Sequence, residues 1–316
     1  VRVSVLGAGA IGCALGAALA PHAEVELVAR GAHLAALREK GLTLDGRTLR
    51  LAASDRVTPG ADLVIAAVKT QDLEAALAAS RDAIGPAPVM TIQNGLAAEG
   101  LAALHVPEVV GCVTALDAEF LEPGVVTVGR VGGLVLSGRP DLAALFAKAG
   151  IPARVTRSFA GARWTKLLVN LNNTILAATG LTAQEAYARA DLPRLSVRVV
   201  KEGLAVARAE GVRLEAIPWA NPRQVAMLTR LPEPLAARLL AARVLRDAGA
   251  IPLRGSTQQS LMRGRGVEVA YLNGEIVRRG ARHGIATPAN DALVAAVEKV
   301  AASGQLIPPA SLAALA

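Results

Sequence analysis

The first thirty residues leave this chain little choice of fold. From Val1 to Arg30 they read VRVSVLGAGAIGCALGAALAPHAEVELVAR. Val3, Val5 and Leu6 make a short apolar run of the kind a buried parallel strand needs. Gly7, Gly9 and Gly12 follow at the spacing G-x-G-x-x-G. Ala14 to Ala20 then reads as a helix and Glu24 to Val28 as a second strand. Strand, glycine turn, helix and strand in that order make a βαβ unit that binds a dinucleotide. Gly7 allows the tight turn, Gly9 lets backbone approach a pyrophosphate, and Gly12 lets helix and strand pack closely. The segment Gly7, Ala8, Gly9, Ala10, Ile11 and Gly12 is therefore expected to cradle the phosphates, with the partial positive charge of the helix N-terminus behind it.

The tip of the second strand selects the nucleotide. An acid there would accept hydrogen bonds from ribose hydroxyls, whereas a guanidinium attracts a 2′-phosphate. Here the strand ends Leu27-Val28-Ala29-Arg30, so Arg30 predicts NADP(H). The competing structural reading is a solvated arginine opening the next helix. Ala18-Leu19-Ala20 resembles a signal-peptide cleavage site. However, the apolar run is shorter than the roughly 20 residues of a membrane span, and ordered glycines followed by a strand have no place in a leader.

A chain of 316 residues has room for two domains. Its 53% apolar content is mostly Ala, Leu and Val, which suits helices packed on a parallel sheet or on one another. The net charge of +8 invites a nucleic-acid reading, but aromatics are only 2% and no polybasic run occurs, so no nucleic-acid or membrane partner is expected. The scattered arginines give instead a positive field that favours anionic ligands. Cys13 and Cys112 are the only cysteines and read as small buried residues, which implies a reducing, cytoplasmic setting. The four histidines show no ligand spacing, and no metal site is predicted.

Further along, a helix is expected from Arg30 to about Lys40, a hairpin over Gly41 to Ala53 turning at Asp45-Gly46, and a buried strand over Asp62 to Val68. Lys69 ends that strand. Gln71 to Ser80 reads as a helix, and the strand Val89 to Ile92 ends in Gln93-Asn94-Gly95. Ligands of an open α/β sheet sit beyond the carboxyl ends of its strands, which makes Lys69 and Asn94 candidates. Taken locally, they are equally an exposed lysine and a turn asparagine. Three short strands (Val109 to Val113, Val125 to Val128, Leu134 to Leu136), a helix over Pro140 to Gly150 and a last strand over Ala153 to Thr156 complete the alternation. After Gly161 strand signals almost cease. Residues 163–180, 183–211, 233–249, 257–282 and 288–303 read as helices. The expected class is thus an α/β Rossmann-type N-terminal domain over 1–158 followed by an all-α domain over 159–316, with a cleft between them. The further helical material expected at 212–250, rich in Arg, Leu and Ala, either packs within one chain or forms a homodimer contact.

Two stretches of the second domain carry candidate chemistry. In Arg163-Trp164-Thr165-Lys166-Leu167-Leu168-Val169-Asn170-Leu171-Asn172-Asn173-Thr174, the residues Lys166, Asn170 and Asn173 share one face of a continuous helix. A lysine in a cleft is a cation and a proton donor; the competing reading is the polar outer face of an amphipathic helix. In the stretch from Gly255 to Glu275, Ser256 with Gln259 fits a capping box, and Glu268 opens an apolar-rich helical run where it could offset the dipole.

Taken together, GAGAIG, VKT, QNG, WTKLLVN, GST, VEVAYLNGE and GIATPAN occur in an order and spacing that resemble the ketopantoate reductase family (2-dehydropantoate 2-reductases), nearly end to end. The resemblance implies an NADPH-dependent reductase with a Rossmann domain and a helical one. It matches Lys166 to the family's catalytic lysine and Glu268 to the glutamate that partners it across substrate and cofactor. Asn94 falls at the nicotinamide and substrate end of the sheet, Asn170 and Ser256 at substrate positions, and Arg30 and Lys69 near the 2′-phosphate. Where the family usually carries a second helical asparagine this chain has Thr174, beside Asn173; after the serine it has Thr257-Gln258-Gln259-Ser260, and two residues past the glutamate it has Ala270 in place of the common aspartate. The implied reaction is hydride delivery to C2 of a 2-oxo acid, ketopantoate first, with Lys166 as acid. The alternatives are another 2-oxo acid or imine as substrate, and a non-catalytic NADPH-binding redox sensor.

Overall fold

The computed structural model describes residues 1–248, 255–264 and 266–314. They divide into two compact units, Val1–Ala162 and Arg163–Ala316.

The first unit opens with β1 (Arg2–Leu6), α1 (Ala10–Leu19), β2 (Glu24–Val28) and α2 (Gly31–Glu39). The hairpin β3 (Leu42–Leu44) and β4 (Arg47–Leu49) turns at Asp45 and Gly46, both at positive φ, as an Asp-Gly turn should. Then come β5 (Ala52–Ser54), β6 (Leu63–Ala66), α3 (Thr70–Ile84), β7 (Val89–Thr91) and α4 (Ala98–Ala103), a short helix the sequence reading missed. The unit closes with β8 (Val109–Glu122), β9 (Val125–Leu136), α5 (Pro140–Lys148) and β10 (Ala153–Val155).

Six strands run parallel in the order β5-β2-β1-β6-β7-β8. The chain builds outward from β1 in one direction through β2 and returns to its other side with β6, so the switch point lies between β1 and β6. Side-chain alternation then makes two cores. Val3, Val5, Leu63 and Ile65 pack with Leu15 and Leu19 of α1 and Phe146 of α5; Leu6, Val64 and Ala66 pack with Leu73 and Leu77 of α3 and Ala98 of α4. Each such fully buried Leu or Val contributes on the order of 1.5–3 kcal/mol.

The three short strands expected after Val109 prove to be one long hairpin, in which β8 and β9 pair antiparallel. Gly129, Gly132 and Gly133 look like breaks in sequence. In the structure they lie within β9, whose pairing with β8 shifts register in three places, so a bulged strand continues where a turn was expected.

The second unit is helical. It contains α6 (Phe159–Asn170), which begins before the division between units, then α7 (Asn173–Thr179), α8 (Ala183–Tyr187), α9 (Leu192–Ala209), α10 (Pro222–Arg230) and α11 (Glu233–Ala248). After these come α12 (Ser256–Met262), a 3-10 turn at Val269–Tyr271, α13 (Asn273–Arg282), α14 (Pro288–Ser303) and α15 (Pro309–Ala314). Residue 249 of the expected helix 233–249, and residue 265 of the expected helix 257–282, lie outside the described residues. Three expected helices are in fact interrupted. Thr182 with Glu185 forms a capping box at the start of α8, and the break after Tyr187 is closed by Asp191 capping α9 just before Pro193. Helix α10 falls within the helical material expected over 212–250, and the small helix α15 was not foreseen. Among the described residues, no helix is long and apolar enough to cross a membrane.

Candidate active site

In the first unit the candidate site is built from backbone. Gly7 has φ of 103°, and a Cβ there would stand 2.6 Å from Val68 N, so only glycine fits on both counts. The turn is closed by Ala8 N donating to Val28 O at 2.9 Å and Gly9 N to Gly7 O at 2.8 Å. A Cβ on Gly12 would collide with Gly7 O, and it would also meet Val5 and Ala67 side chains at 3.0 and 3.1 Å. Gly9 is different: nothing lies within 4 Å of its missing Cβ, so its outer face is open. Helix α1 starts at Ala10, four residues earlier than the sequence reading placed it, with Gly9 as an extended N-cap that contributes no side-chain bond. First-turn N–H groups of a helix have no intrahelical acceptor, and here no acid occupies that turn. A diphosphate suits such a turn, open at Gly9 and backed by a free helix end. Cys13, one turn inside, is buried, and burial pushes its thiol up to about 12, so it is an inert packing group.

Three side chains of this unit were predicted to meet the nucleotide. Arg30 is exposed at the end of β2, in extended conformation ahead of α2, and has no ion-pair partner among the described residues. Lys69 is the N-cap of α3, just past β6. Asn94 lies just past β7, and its carbonyl accepts from Thr70 Oγ1 at 3.4 Å. Gly7, Lys69 and Asn94 thus follow the carboxyl ends of β1, β6 and β7, which are adjacent strands at the switch point.

The second unit presents side chains at helix ends. Lys166 is 8% exposed, whereas Val169, three residues on, is an exposed apolar residue. That inverts an amphipathic surface helix and excludes the outer-face reading for this lysine. Thr165 donates to Glu215 O at 2.7 Å, and Leu167, Leu168 and Leu171 are buried. Leu168 and Leu171 press on α9 at Gly203, where a Cβ would stand 2.7 and 2.9 Å from their methyl groups. One turn earlier on the same face, Trp164 lies under the Arg279 guanidinium, 5.9 Å from the ring centroid. Arg279 is held by Glu275 and Glu210, each at 2.6 Å, and Glu210 also meets His283 at 2.9 Å. Burial alone would raise the Glu210 carboxyl, but the bonds and charges of His283 and Arg279 outweigh it and hold it below its ordinary value.

The helix expected over 163–180 stops at Asn170 and restarts at Asn173. Lys166 and Asn170 keep their common face, but Asn173 does not extend it; it opens α7 instead. There it lies against Gly255, with its Cβ, Cγ and Oδ1 3.2–3.3 Å from where a Cβ of that glycine would be. This puts Asn173 next to the start of α12. Ser256 is exposed in the first turn of α12, and the N-cap is Gly255, so the capping role expected of Ser256 is not realised. Thr174 is fully buried, and its hydroxyl donates to Leu171 O at 2.5 Å. Glu268 opens no α-helix; it is half-buried ahead of the 3-10 turn, with its carbonyl accepting from Tyr271 N at 2.9 Å.

Two asparagines that the sequence offered only as parts of motifs hold this break in place. Asn273 donates to Leu171 O at 3.3 Å and to Asn290 Oδ1 at 3.0 Å, and Asn290 donates to Glu202 Oε2 at 2.7 Å. Both asparagines are fully buried. A cavity of about 580 Å³ also lies in this unit, lined by Ala177, Gln258, Leu261, Met262 and Val267 among others, and no predicted site residue lines it.

The comparisons with known proteins agree with these features. The family described as Ketopantoate reductase PanE/ApbA matches residues 3–140, and its C-terminal counterpart matches residues 158–301. A 2-dehydropantoate 2-reductase of Halobacterium salinarum is 34% identical, over 91% of this chain and 95% of that one. The crystal structure of a PanE/ApbA family ketopantoate reductase from Ralstonia eutropha JMP134 superposes with a TM-score of 0.82 at 34% identity, covering 96% of this chain and 99% of that one. A D-mandelate dehydrogenase bound to NADH and anilino(oxo)acetate shares the fold, with a TM-score of 0.82 at 23% identity over 96% and 99% of the two chains. The class is therefore a Rossmann-type oxidoreductase with a helical C-terminal unit. Within it, the chain belongs to the ketopantoate reductase family.

Proposed function

We propose that this chain reduces 2-dehydropantoate to (R)-pantoate with NADPH, in pantothenate and coenzyme A biosynthesis. The observation that carries the proposal is the buried Lys166, on a helix that exposes Val169 instead. This lysine, largely withdrawn from water, stands at the position that matches the family's catalytic lysine. The Gly7–Gly12 turn would hold the diphosphate, and Arg30 and Lys69 the 2′-phosphate. The exposed Arg30 guanidinium, without an ion-pair partner among the described residues, supports NADPH over NADH.

Bound NADPH supplies the hydride for C2 of the oxo acid. The Lys166 ammonium stabilises the charge growing on the carbonyl oxygen and donates a proton to it, which leaves a hydroxyl and a neutral amine that solvent reprotonates. Glu268 orients the ammonium and the new hydroxyl. Asn94, Asn170, Asn173 and Ser256 hold the carboxylate and hydroxyl groups.

A second reading, a different 2-oxo acid as substrate, is favoured by Thr174, whose hydroxyl is spent on Leu171 O where relatives offer an amide. Loss of NADPH absorbance with 2-dehydropantoate, run beside NADH and a panel of 2-oxo acids, separates the two. Fast turnover with 2-dehydropantoate and NADPH alone is the expected result. Faster turnover with another oxo acid moves the substrate, and no turnover with NADPH still bound tightly favours a redox sensor.

The reading includes a homodimer and a cytoplasmic setting. Met227 on α10 and Leu235 and Leu239, one turn apart on α11, are exposed apolar residues suited to contact with a second copy, and sedimentation tests it. Both cysteines are free and buried, as suits a reducing compartment.

A further inference from the structure

At the switch point β6 comes to its carboxyl end. Ala66, its last residue, pairs with Leu6 and Thr91, after which the chain leaves the sheet toward Lys69 and α3. The carbonyls of Ala66 and Val68 are met by one side chain. Gln93 Nε2 donates to Ala66 O at 2.8 Å and to Val68 O at 2.9 Å, and the residue is only 4% exposed. Both partners are acceptors, so the amide nitrogen, with its two N–H bonds, has to face them. No apolar residue of the same size could do this, and a carbonyl left unmet away from water is costly.

Gln93 immediately precedes Asn94, and Lys69 immediately follows Val68. Thr70, itself buried, adds the bond from its hydroxyl to Asn94 O at 3.4 Å. Residues 66–70 and 93–94 are thereby fastened into one piece that carries two of the candidate nucleotide residues. That piece also abuts the phosphate turn, because the backbone of Val68 fills the space where Gly7 lacks a Cβ. Val68 is gripped between Gly7 on one side and the Gln93 amide on the other.

We infer that Gln93 is a positioning residue for nucleotide binding: by holding the Ala66 and Val68 carbonyls it sets Lys69 and Asn94 at a fixed place relative to the Gly7 turn. The inference rests on the nucleotide reading proposed above. Gln93→Met keeps the volume and removes both donors. NADPH affinity, measured by fluorescence titration, is expected to fall at least tenfold in this variant, while its kcat at saturating NADPH changes less.

A double-mutant cycle with Lys69→Ala distinguishes positioning from general loosening. Alone, Lys69→Ala should weaken NADPH about tenfold. On top of Gln93→Met it should add less than threefold, because the lysine is already misplaced. If Lys69→Ala has no effect in the native background, the nucleotide reading fails and the inference with it. If Lys69→Ala weakens NADPH as expected but the two effects multiply independently, or Gln93→Met leaves affinity within twofold, the inference alone is overturned. Should Gln93→Met fail to fold, the same cycle is run with Gln93→Asn, which keeps the amide one methylene short of both carbonyls.

Discussion

In the N-terminal unit the candidate phosphate turn is made of backbone: Gly7, Gly9 and Gly12 act through the atoms they lack. In the helical unit the candidate groups are side chains, Lys166 and Asn170 on the last turns of α6, Asn173 at the start of α7 and Ser256 at the start of α12. A backbone site is specified locally, because one tight turn requires its glycines at one spacing. A side-chain site at helix ends is specified at long range, because the ends must be held by contacts from elsewhere in the chain. Asn273, 102 residues from Leu171, holds the carbonyl at the break between α6 and α7. The first kind of site tolerates no added Cβ at Gly7 or Gly12; the second depends on the contacts that hold its helix ends.

That contrast can be broken in several places. The largest effect on the nucleotide side belongs to Gly12→Ala, whose Cβ would drive into Gly7 O. NADPH affinity is expected to fall roughly 100-fold, with some loss of stability, since backbone on that side cannot give way as a flexible side chain would. Titration of NADPH measures it, and an affinity within threefold of native would mean that the turn is softer than its geometry implies. Next is Arg30→Ala, expected to weaken NADPH about tenfold or more and NADH less than twofold. Equal losses for both nucleotides would remove the 2′-phosphate from Arg30. The smallest effect belongs to Glu210→Gln, away from the chemistry. The folded Glu210 carboxyl is held below its ordinary value, so its contribution is present above the unfolded value near pH 4.5 and is lost as pH falls through the folded one. Glu210→Gln should lower stability at pH 7 by about 1 kcal/mol, and the loss should shrink as pH falls below about 4.5, as thermal melts across that range would show.

The same contrast governs what the sequence discloses. The β1-turn-α1-β2 unit is legible because apolar runs, glycine spacing and strand ends are local signals, and the exposed Arg30 sits where the strand pattern put it. The β8–β9 hairpin is misread because its glycines serve bulges inside a long strand and not turns between short ones. The α6–α7 break is invisible because neither glycine nor proline marks it: Thr174 turns its hydroxyl back to Leu171 O, and Asn273 arrives from far along the chain. Nor does the sequence reveal that Gln258, read only as a departure from the family pattern, is buried with its amide donating to Gly180 O at 2.7 Å.

The central claim is a division of labour, with the nucleotide held by the Rossmann unit and the proton delivered by Lys166. The most direct measurement is made on Lys166→Ala, with NADPH affinity and turnover of 2-dehydropantoate determined on the same preparation. The expected result is a kcat lower by about 10³-fold with NADPH affinity within twofold of native. A fall of less than tenfold in turnover, or equal falls in turnover and affinity, would contradict it.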